Sequence, residues 1–144
     1  MATYNKFQDF SEQLVRGVHQ IGTHVYKIAL TNTAPTVSQT QWLLANHPAP
    51  AAANGYPSGG ATTTLTVSET AGTTTVQGTE ATFTATAGGI GPFRYAILYN
   101  DTATSPADAG VAFFDYGSSI TLNDGESIVV KFNNASTGNV FTLV

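Results

Sequence analysis

The chain has 144 residues, no cysteine and charged side chains at only 10% of the total, where an ordinary globular domain has about 25%. Five Lys and Arg residues against nine Asp and Glu residues give a formal net charge of −4, which argues against the basic surface that a nucleic-acid-binding protein needs. Uncharged hydroxyls replace the missing charge, because the chain contains 23 Thr and 9 Ser. This length and composition predict a single domain over residues 1–144 with its own core.

Two further features of the sequence bear on the cellular location of the protein. No apolar run approaches the roughly 20 residues of a membrane-spanning helix, so we expect no membrane partner. Residues 1–6 lack the apolar region of a secretion signal, and the absence of cysteine agrees with a reducing compartment. We therefore expect the chain to be made and kept in a cytoplasm.

The N-terminal segment shows helical periodicity. Its apolar residues recur at helical spacing at Phe7, Phe10, Leu14 and Val18. Asn5 is suited to the N-cap, and Gly17 to the C-terminal stop. The pattern predicts an amphipathic helix over residues 4–17, which buries its stripe either on its own domain or on a partner.

The rest of the chain is typical of short strands. Residues 23–30 alternate as a strand, 39–46 are ambiguous between a helical turn and a strand, and about 45–61 form a long loop rich in Pro and Gly. The Thr-rich stretch 62–86 is predicted to form ordered strands, since it keeps one apolar face. The other predicted strands are 93–99, 111–116, 119–122, 127–132 and 140–144.

These elements predict the fold class. Strands at spacings of about 8 to 12 residues, with a hairpin-type turn at 123–125, favour an antiparallel β-sandwich or jelly-roll-like barrel. The predicted fold is thus mainly β, with residues 23–144 forming the sandwich and one N-terminal amphipathic α-helix.

No constellation of side chains predicts catalysis or metal binding. His19 and His24 are five residues apart across a glycine, which suits neither a helix nor a strand metal pair, and His47 is far along the chain. The acidic residues of the second half lie beside turns: Asp101, Asp108, Asp115, Asp124 and Glu126. We expect Asp115 to be partly buried and bonded to a backbone N–H group or to Arg94. No nucleophile elbow or phosphate-binding loop is present, so we predict no enzyme, cofactor or metal.

Aromatic side chains on neighbouring strands allow two interpretations. They could form a stacking platform for sugars or bases, or the core of the sandwich, and the core is favoured because such alternation is typical of buried faces. The residues concerned are Phe93, Tyr95, Tyr99, Phe113, Phe114 and Tyr116.

Five segments together resemble a family of small virion proteins of tailed bacteriophages. They are YNKFQDF (4–10), KIALTNTAP (27–35), NGYPSGG (54–60), GPFRYAILYNDT (91–102) and DYGSSITL (115–122). The resemblance follows the same order over nearly the whole chain. The proline-rich residues 47–53 depart from it.

The resemblance implies a non-enzymatic particle component, foremost a head decoration protein that stabilises contacts between capsomers on the outer capsid surface. It implies synthesis in a bacterial host cytoplasm, the major capsid protein as partner, and self-association as a dimer or trimer. A tail component (tube, terminator or fibre-associated) is an alternative, and a carbohydrate-binding β-sandwich module is another. The candidate partner contacts are Tyr4, Phe7, Phe10, Leu14, Trp42 and Tyr56.

Overall fold

A computed structural model describes residues 2–38 and 47–144 of the chain. Within these ranges it contains ten strands and one short helix. They are β1 (Thr3–Lys6), α1 (Phe10–Val15), β2 (Tyr26–Thr31), β3 (Ala61–Thr63), β4 (Leu65–Thr70), β5 (Thr73–Thr79), β6 (Ala81–Thr84), β7 (Ile90–Thr104), β8 (Ala107–Leu122), β9 (Ser127–Val130) and β10 (Thr137–Leu143).

The strands form three sheets. A five-stranded sheet has the order β1-β8-β7-β2-β3, a three-stranded sheet has the order β10-β5-β4, and β6 pairs with β9. All of these pairings are antiparallel. The predicted mainly β, antiparallel class is therefore confirmed, while the closure of the sheets into a sandwich or jelly roll stays a prediction.

The long strands β7 and β8 form the centre of the five-stranded sheet. Residues 96–100 of β7 and 111–114 of β8 are buried in continuous runs, and the register places Leu98 opposite Ala112 and Ala96 opposite Phe114. The separate strands predicted at 111–116 and 119–122 are one strand. The pairing steps from Tyr95 opposite Asp115 to Phe93 opposite Ile120, so the residues between them on β8 bulge out without ending it.

The N-terminal helix is much shorter than predicted. Residues 3–6 form β1 against β8, and Asn5 lies in this strand instead of capping a helix. The predicted bounds 4–17 were wrong because a long-range strand pairing overrides local periodicity. The C-terminal stop is confirmed: Gly17 has φ +80, and its N–H and that of Val18 donate to the carbonyls of Leu14 and Gln13, which is a Schellman ending.

The threonine-rich segment is ordered, as predicted. In β4 and β5, six residue pairs are in register from Leu65 opposite Gly78 to Thr70 opposite Thr73. Leu65 and Val76 face the core, while most of the other β4 side chains are exposed. One buried apolar cluster joins α1 with all three sheets.

The loop at 47–60, which contains neither helix nor strand, is fastened to the five-stranded sheet. The Tyr56 hydroxyl accepts a hydrogen bond from the N–H of Leu30 at 3.0 Å, and its ring stacks on Phe83 with 5.6 Å between ring centres. Gly60 lies against the carbonyl of Ile28, because β3 begins there and pairs with β2. The predicted loop is thus confirmed over its described residues, and the ambiguous segment 39–46 lies outside them.

The turn at 123–125 is present, but it does not join a hairpin. The N–H of Gly125 donates to Ala85 at 2.8 Å, and Asp124 accepts from the N–H of Ala87 at 2.9 Å. These bonds hold the turn against the segment that follows β6. The next strand, β9, therefore pairs with β6 and not with β8, and the hairpin prediction was wrong.

We predict that Gly60→Ala destabilises the protein strongly. A Cβ atom there would overlap the Ile28 carbonyl, and the residue has φ +99. The expected loss is about 1–2 kcal/mol for the left-handed backbone plus about 1–3 kcal/mol for the overlap, measured by urea denaturation. Gly72→Ala is the matched control, since Gly72 has φ +84 and open space around it. Equal losses in the two variants would contradict the close approach.

Candidate functional site

A groove of about 570 Å³ lies between the five-stranded sheet and β9 with the segment after it. Its floor comes from one face of the sheet, because Tyr4 is opposite Phe114, Phe114 is opposite Ala96, and Ala96 is opposite Leu30. The facing wall contains Ile128–Val130, Phe132 and Val140. We call this the tyrosine groove, after Tyr4 and Tyr116 at its lip.

The aromatic rings of the groove are buried at its base and exposed at its lip. Phe114 is buried and contacts the Tyr4 ring edge to face at 5.4 Å and the Phe132 ring at 5.7 Å between ring centres. Tyr4 is 38% exposed and Tyr116 is 54% exposed. Tyr116 is the first residue of the bulge between Asp115 and Ile120 on β8, and it lines the groove.

Asparagine side chains form a polar rim on the opposite side. Asn133 and Asn134 follow β9 with left-handed φ values of 49 and 58, a conformation that Asn adopts more readily than most residues. Asn139 lies on β10 and accepts a hydrogen bond from the Gln77 amide at 3.2 Å. All three line the groove and are exposed.

Both cations of the groove are ion-paired. Arg94 donates to both oxygens of Asp115 at 2.7 and 2.9 Å and lies over the Tyr95 ring at 5.2 Å. This hydrogen bonding, joined by the N–H of Gly117 at 2.8 Å, lowers the pKa of Asp115. Lys131 pairs with Glu80 at 3.4 Å. The expected partial burial of Asp115 and its bond to Arg94 are thus confirmed.

The candidate partner contacts separate into buried and accessible residues. Phe7 and Phe10 are buried in the core of the chain itself, against Phe113 and Phe141 respectively, and Tyr56 is buried as well. These three do not offer a surface to a partner in this structure, because Phe7 and Phe10 pack in the chain's own core and the Tyr56 ring stacks on Phe83. The accessible candidates are Tyr4 and the half-buried Leu14; Trp42 lies outside the described residues.

The strand aromatics are mostly core, as favoured. Phe93, Tyr99, Phe113 and Phe114 are buried. Tyr95 is half-buried and Tyr116 is exposed. The core interpretation is confirmed for the four buried residues, and Tyr116 is the exception that remains accessible at the groove.

Acidic side chains outside the groove have structural contacts. Asp124 fastens its turn, and Glu126 accepts from the N–H of Asn123 at 2.7 Å. Asp101 pairs with Lys27 at 2.9 Å. Burial, followed by the charge of Asp101, raises the pKa of Asp108.

The histidines are distributed as separate structural residues. His24 Nδ1 lies 2.9 Å from the Asn100 amide nitrogen, and His47 is buried. His19 is 4% exposed, lies between Phe10 and Tyr26, and has no hydrogen-bond partner on either ring nitrogen within the described ranges. No group of three or more His, Asp or Glu side chains in residues 2–38 and 47–144 could hold a metal ion.

Sequence reasoning missed the polar side of the groove. Asn133, Asn134 and Asn139 attracted no prediction as binding residues, although two adjacent Asn residues after a strand are a recognisable turn signal. Lys131 and the β9 wall were missed as well, since their proximity to β8 depends on pairing between β9 and β6. That proximity is not encoded in any local pattern.

Comparison of the chain with family models, curated proteins and solved structures finds no match. Among the helices of the described residues, none is long and apolar enough to cross a membrane. The groove and the edges of the sheets are therefore the candidate functional features.

We predict that His19 makes folding stability depend on pH. Burial, with a smaller contribution from His24, lowers its pKa to about 4, while an unfolded His has about 6.5. As pH falls from 6.5 to 4, the unfolded state takes up the proton and the folded state does not. Stability is therefore lost by about 3 kcal/mol across this window.

The His19→Phe variant isolates this effect, because Phe fits an aromatic environment and removes two unpaired nitrogens. Urea denaturation between pH 4 and 7 should show a shallower pH dependence in His19→Phe than in the unmodified protein. His24→Gln is the control and should keep most of the dependence, since burial is the larger cause. An unchanged slope in His19→Phe would contradict the assignment.

Proposed function

We propose that the chain is a non-enzymatic virion protein of a tailed bacteriophage, a decoration protein bound to the outer capsid surface. The observation that carries the proposal is that the five segments resembling that family all contribute to one framework, the five-stranded sheet with the loop fastened to it. Residues 4–6 pair with β8, and residues 27–31 pair with β7.

The loop segment 54–60 belongs to the same framework. Tyr56 accepts from Leu30, and Tyr99 donates to the carbonyl of Gly59 at 2.7 Å. Segments 91–102 and 115–122 lie in β7 and β8, where Phe93 is opposite Ile120 and Tyr95 is opposite Asp115. The resemblance thus concerns residues of the five-stranded sheet and of the loop fastened to it.

The mechanism would be mechanical. Copies of the chain, as dimers or trimers, would lie over junctions between capsomers and hold neighbouring subunits of the major capsid protein together. Many modest contacts on a repeating lattice reinforce each other through effective concentration, and binding to the assembled shell alone stabilises that shell by mass action. A surface with few charges suits interface centres, which are depleted in them.

The β1 edge is the contact that we assign to the capsid or to a neighbouring copy. Among the described strands, β1 pairs only with β8, so its other edge can accept a strand from a partner. Tyr4 lies in this strand and is 38% exposed. An aromatic side chain beside an open strand edge combines main-chain hydrogen bonding with apolar burial.

We predict that the purified protein binds saturably to phage heads that lack it. Occupancy would be measured by sedimentation with the heads and quantitative gel analysis, and hardening by survival after heat or osmotic shock. Occupied heads should survive treatment that opens bare heads. Failure to bind heads, with recovery of the protein in tails, would replace the head assignment with the tail alternative.

Variants at the β1 edge sharpen this experiment. Tyr4→Lys should reduce head occupancy at least tenfold, because a charge replaces apolar burial at the contact. Val67→Lys is the matched control, since Val67 is also exposed, at 49%, but lies on β4 in another sheet. Loss of occupancy with Val67→Lys and not with Tyr4→Lys would overturn the assignment of the β1 edge.

A further inference from the structure

We propose that the tyrosine groove binds an uncharged saccharide. This inference does not depend on the capsid proposal, because it rests on the chemistry of the groove alone. The groove joins exposed tyrosine rings, an asparagine rim and internally neutralised charges in a single concave surface. Each of these features matches one property of a sugar ring.

The size of the groove suits a small ligand. Its volume of about 570 Å³ lies within the range of about 300–1,000 Å³ found for small-molecule sites. Its apolar base belongs to paired strands, with Tyr4 opposite Phe114 and Phe114 opposite Ala96, so the base of the groove is formed without a ligand. A site of this kind requires little ordering when a ligand binds.

The tyrosine rings supply flat surfaces at the lip. Tyr116 is 54% exposed, and Tyr4 keeps more than a third of its surface accessible while its ring is supported edge to face by Phe114. A tyrosine presents an apolar ring together with a hydroxyl. A sugar has the complementary character, since its C–H groups form apolar patches between its hydroxyls.

The asparagine rim supplies hydrogen bonds opposite the rings. An amide offers two donors and an acceptor, so Asn133 can bond to a sugar hydroxyl in either role, and Asn139, whose oxygen accepts from Gln77, can donate to one. Asn133 and Asn134 lie at the end of the groove after β9, and Asn139 lies on β10. Polar groups on one wall and rings on the other orient a ligand that has both hydroxyls and apolar faces.

The charges of the groove favour a neutral ligand. Arg94 is held by both oxygens of Asp115, and its guanidinium lies over the Tyr95 ring. Lys131 is paired with Glu80. An anionic ligand would have to compete with these carboxylates for the cations, whereas an uncharged one leaves both pairs in place.

Affinity electrophoresis tests the proposal with stated probes. The full chain is run through native gels containing dextran, galactomannan, glycogen or soluble xylan as neutral polysaccharides, and alginate as the anionic comparison. We expect retardation by at least one neutral polymer, unaffected by salt. Retardation by none of the neutral polymers, or by alginate alone with loss at high salt, would overturn the proposal.

Substitutions in the groove distinguish stacking on the Tyr116 ring from a general effect on the fold. Tyr116→Ala should weaken binding to the retarding polysaccharide at least tenfold. Tyr116→Phe keeps the ring and should retain most of the affinity. Asn133→Gly removes the amide but tolerates the left-handed backbone, and it should also weaken binding. Val67→Ala is the control and should bind as the unmodified protein does. Equal binding by Tyr116→Ala and the unmodified protein would overturn the assignment of the groove.

A second copy of the chain is the competing occupant of the groove. Sedimentation velocity across a range of concentrations, without saccharide, reports this alternative. Self-association that Tyr116→Ala abolishes, together with no retardation in any neutral gel, would assign the groove to a dimer interface and overturn the saccharide proposal. Retardation without such self-association supports it.

Discussion

The antiparallel pairing of β7 with β8 is the interaction on which the rest of the structure depends. β1 pairs with the outer edge of β8, and β2 pairs with the outer edge of β7 and in turn holds β3. The two strands are 15 and 16 residues long, well beyond a typical strand of about 5–6 residues. One face of this pair contributes to the core. Where β9 and the segment after it do not cover that face, Phe114 forms the floor of the groove and Tyr116 forms its lip. The candidate site is therefore a consequence of the central pairing.

A buried amide fastens the N-terminal connection to this pair. Asn100, fully buried in β7, donates to the carbonyl of Val18 at 3.1 Å and lies 2.9 Å from His24 Nδ1. Its oxygen accepts from the N–H groups of Thr102 and Ala103 at 3.1 and 3.2 Å. An apolar residue at this position would leave the buried N–H of Ala103 unpaired, at a cost of about 1–3 kcal/mol, and would remove the partly buried bond to Val18. The side chain thus couples the bend at the end of β7 to the segment that follows α1.

Sequence reasoning succeeded where the determining contacts are local. The alternation at 93–99 and the glycine at residue 17 fix a strand and a helix ending through neighbours in the chain, and both are present. It failed at residues 4–6, whose apolar spacing suits a helix but whose partners in β8 are more than a hundred residues away. The groove is non-local in the same way: Tyr4, Phe114 and Asn139 come from three distant segments. The bond between Asp115 and Arg94 was expected from the sequence, whereas the pairs of Lys131 with Glu80 and of Lys27 with Asp101 were found only in the structure.

Tyr4 links the two proposed surfaces and gives them different chemistries. Its backbone lies on the open edge of β1, where a partner strand would use main-chain hydrogen bonds, while its ring forms the groove lip against Phe114. A partner at the edge would combine main-chain pairing with burial of the Tyr4 ring, whereas a saccharide would contact the rings of the groove alone. Tyr4 is therefore shared by the two proposed surfaces. Because Tyr116 and Asn133 belong to the groove and not to β1, the groove can lose its ligand while the edge keeps its pairing, and the two functions are separable in one chain.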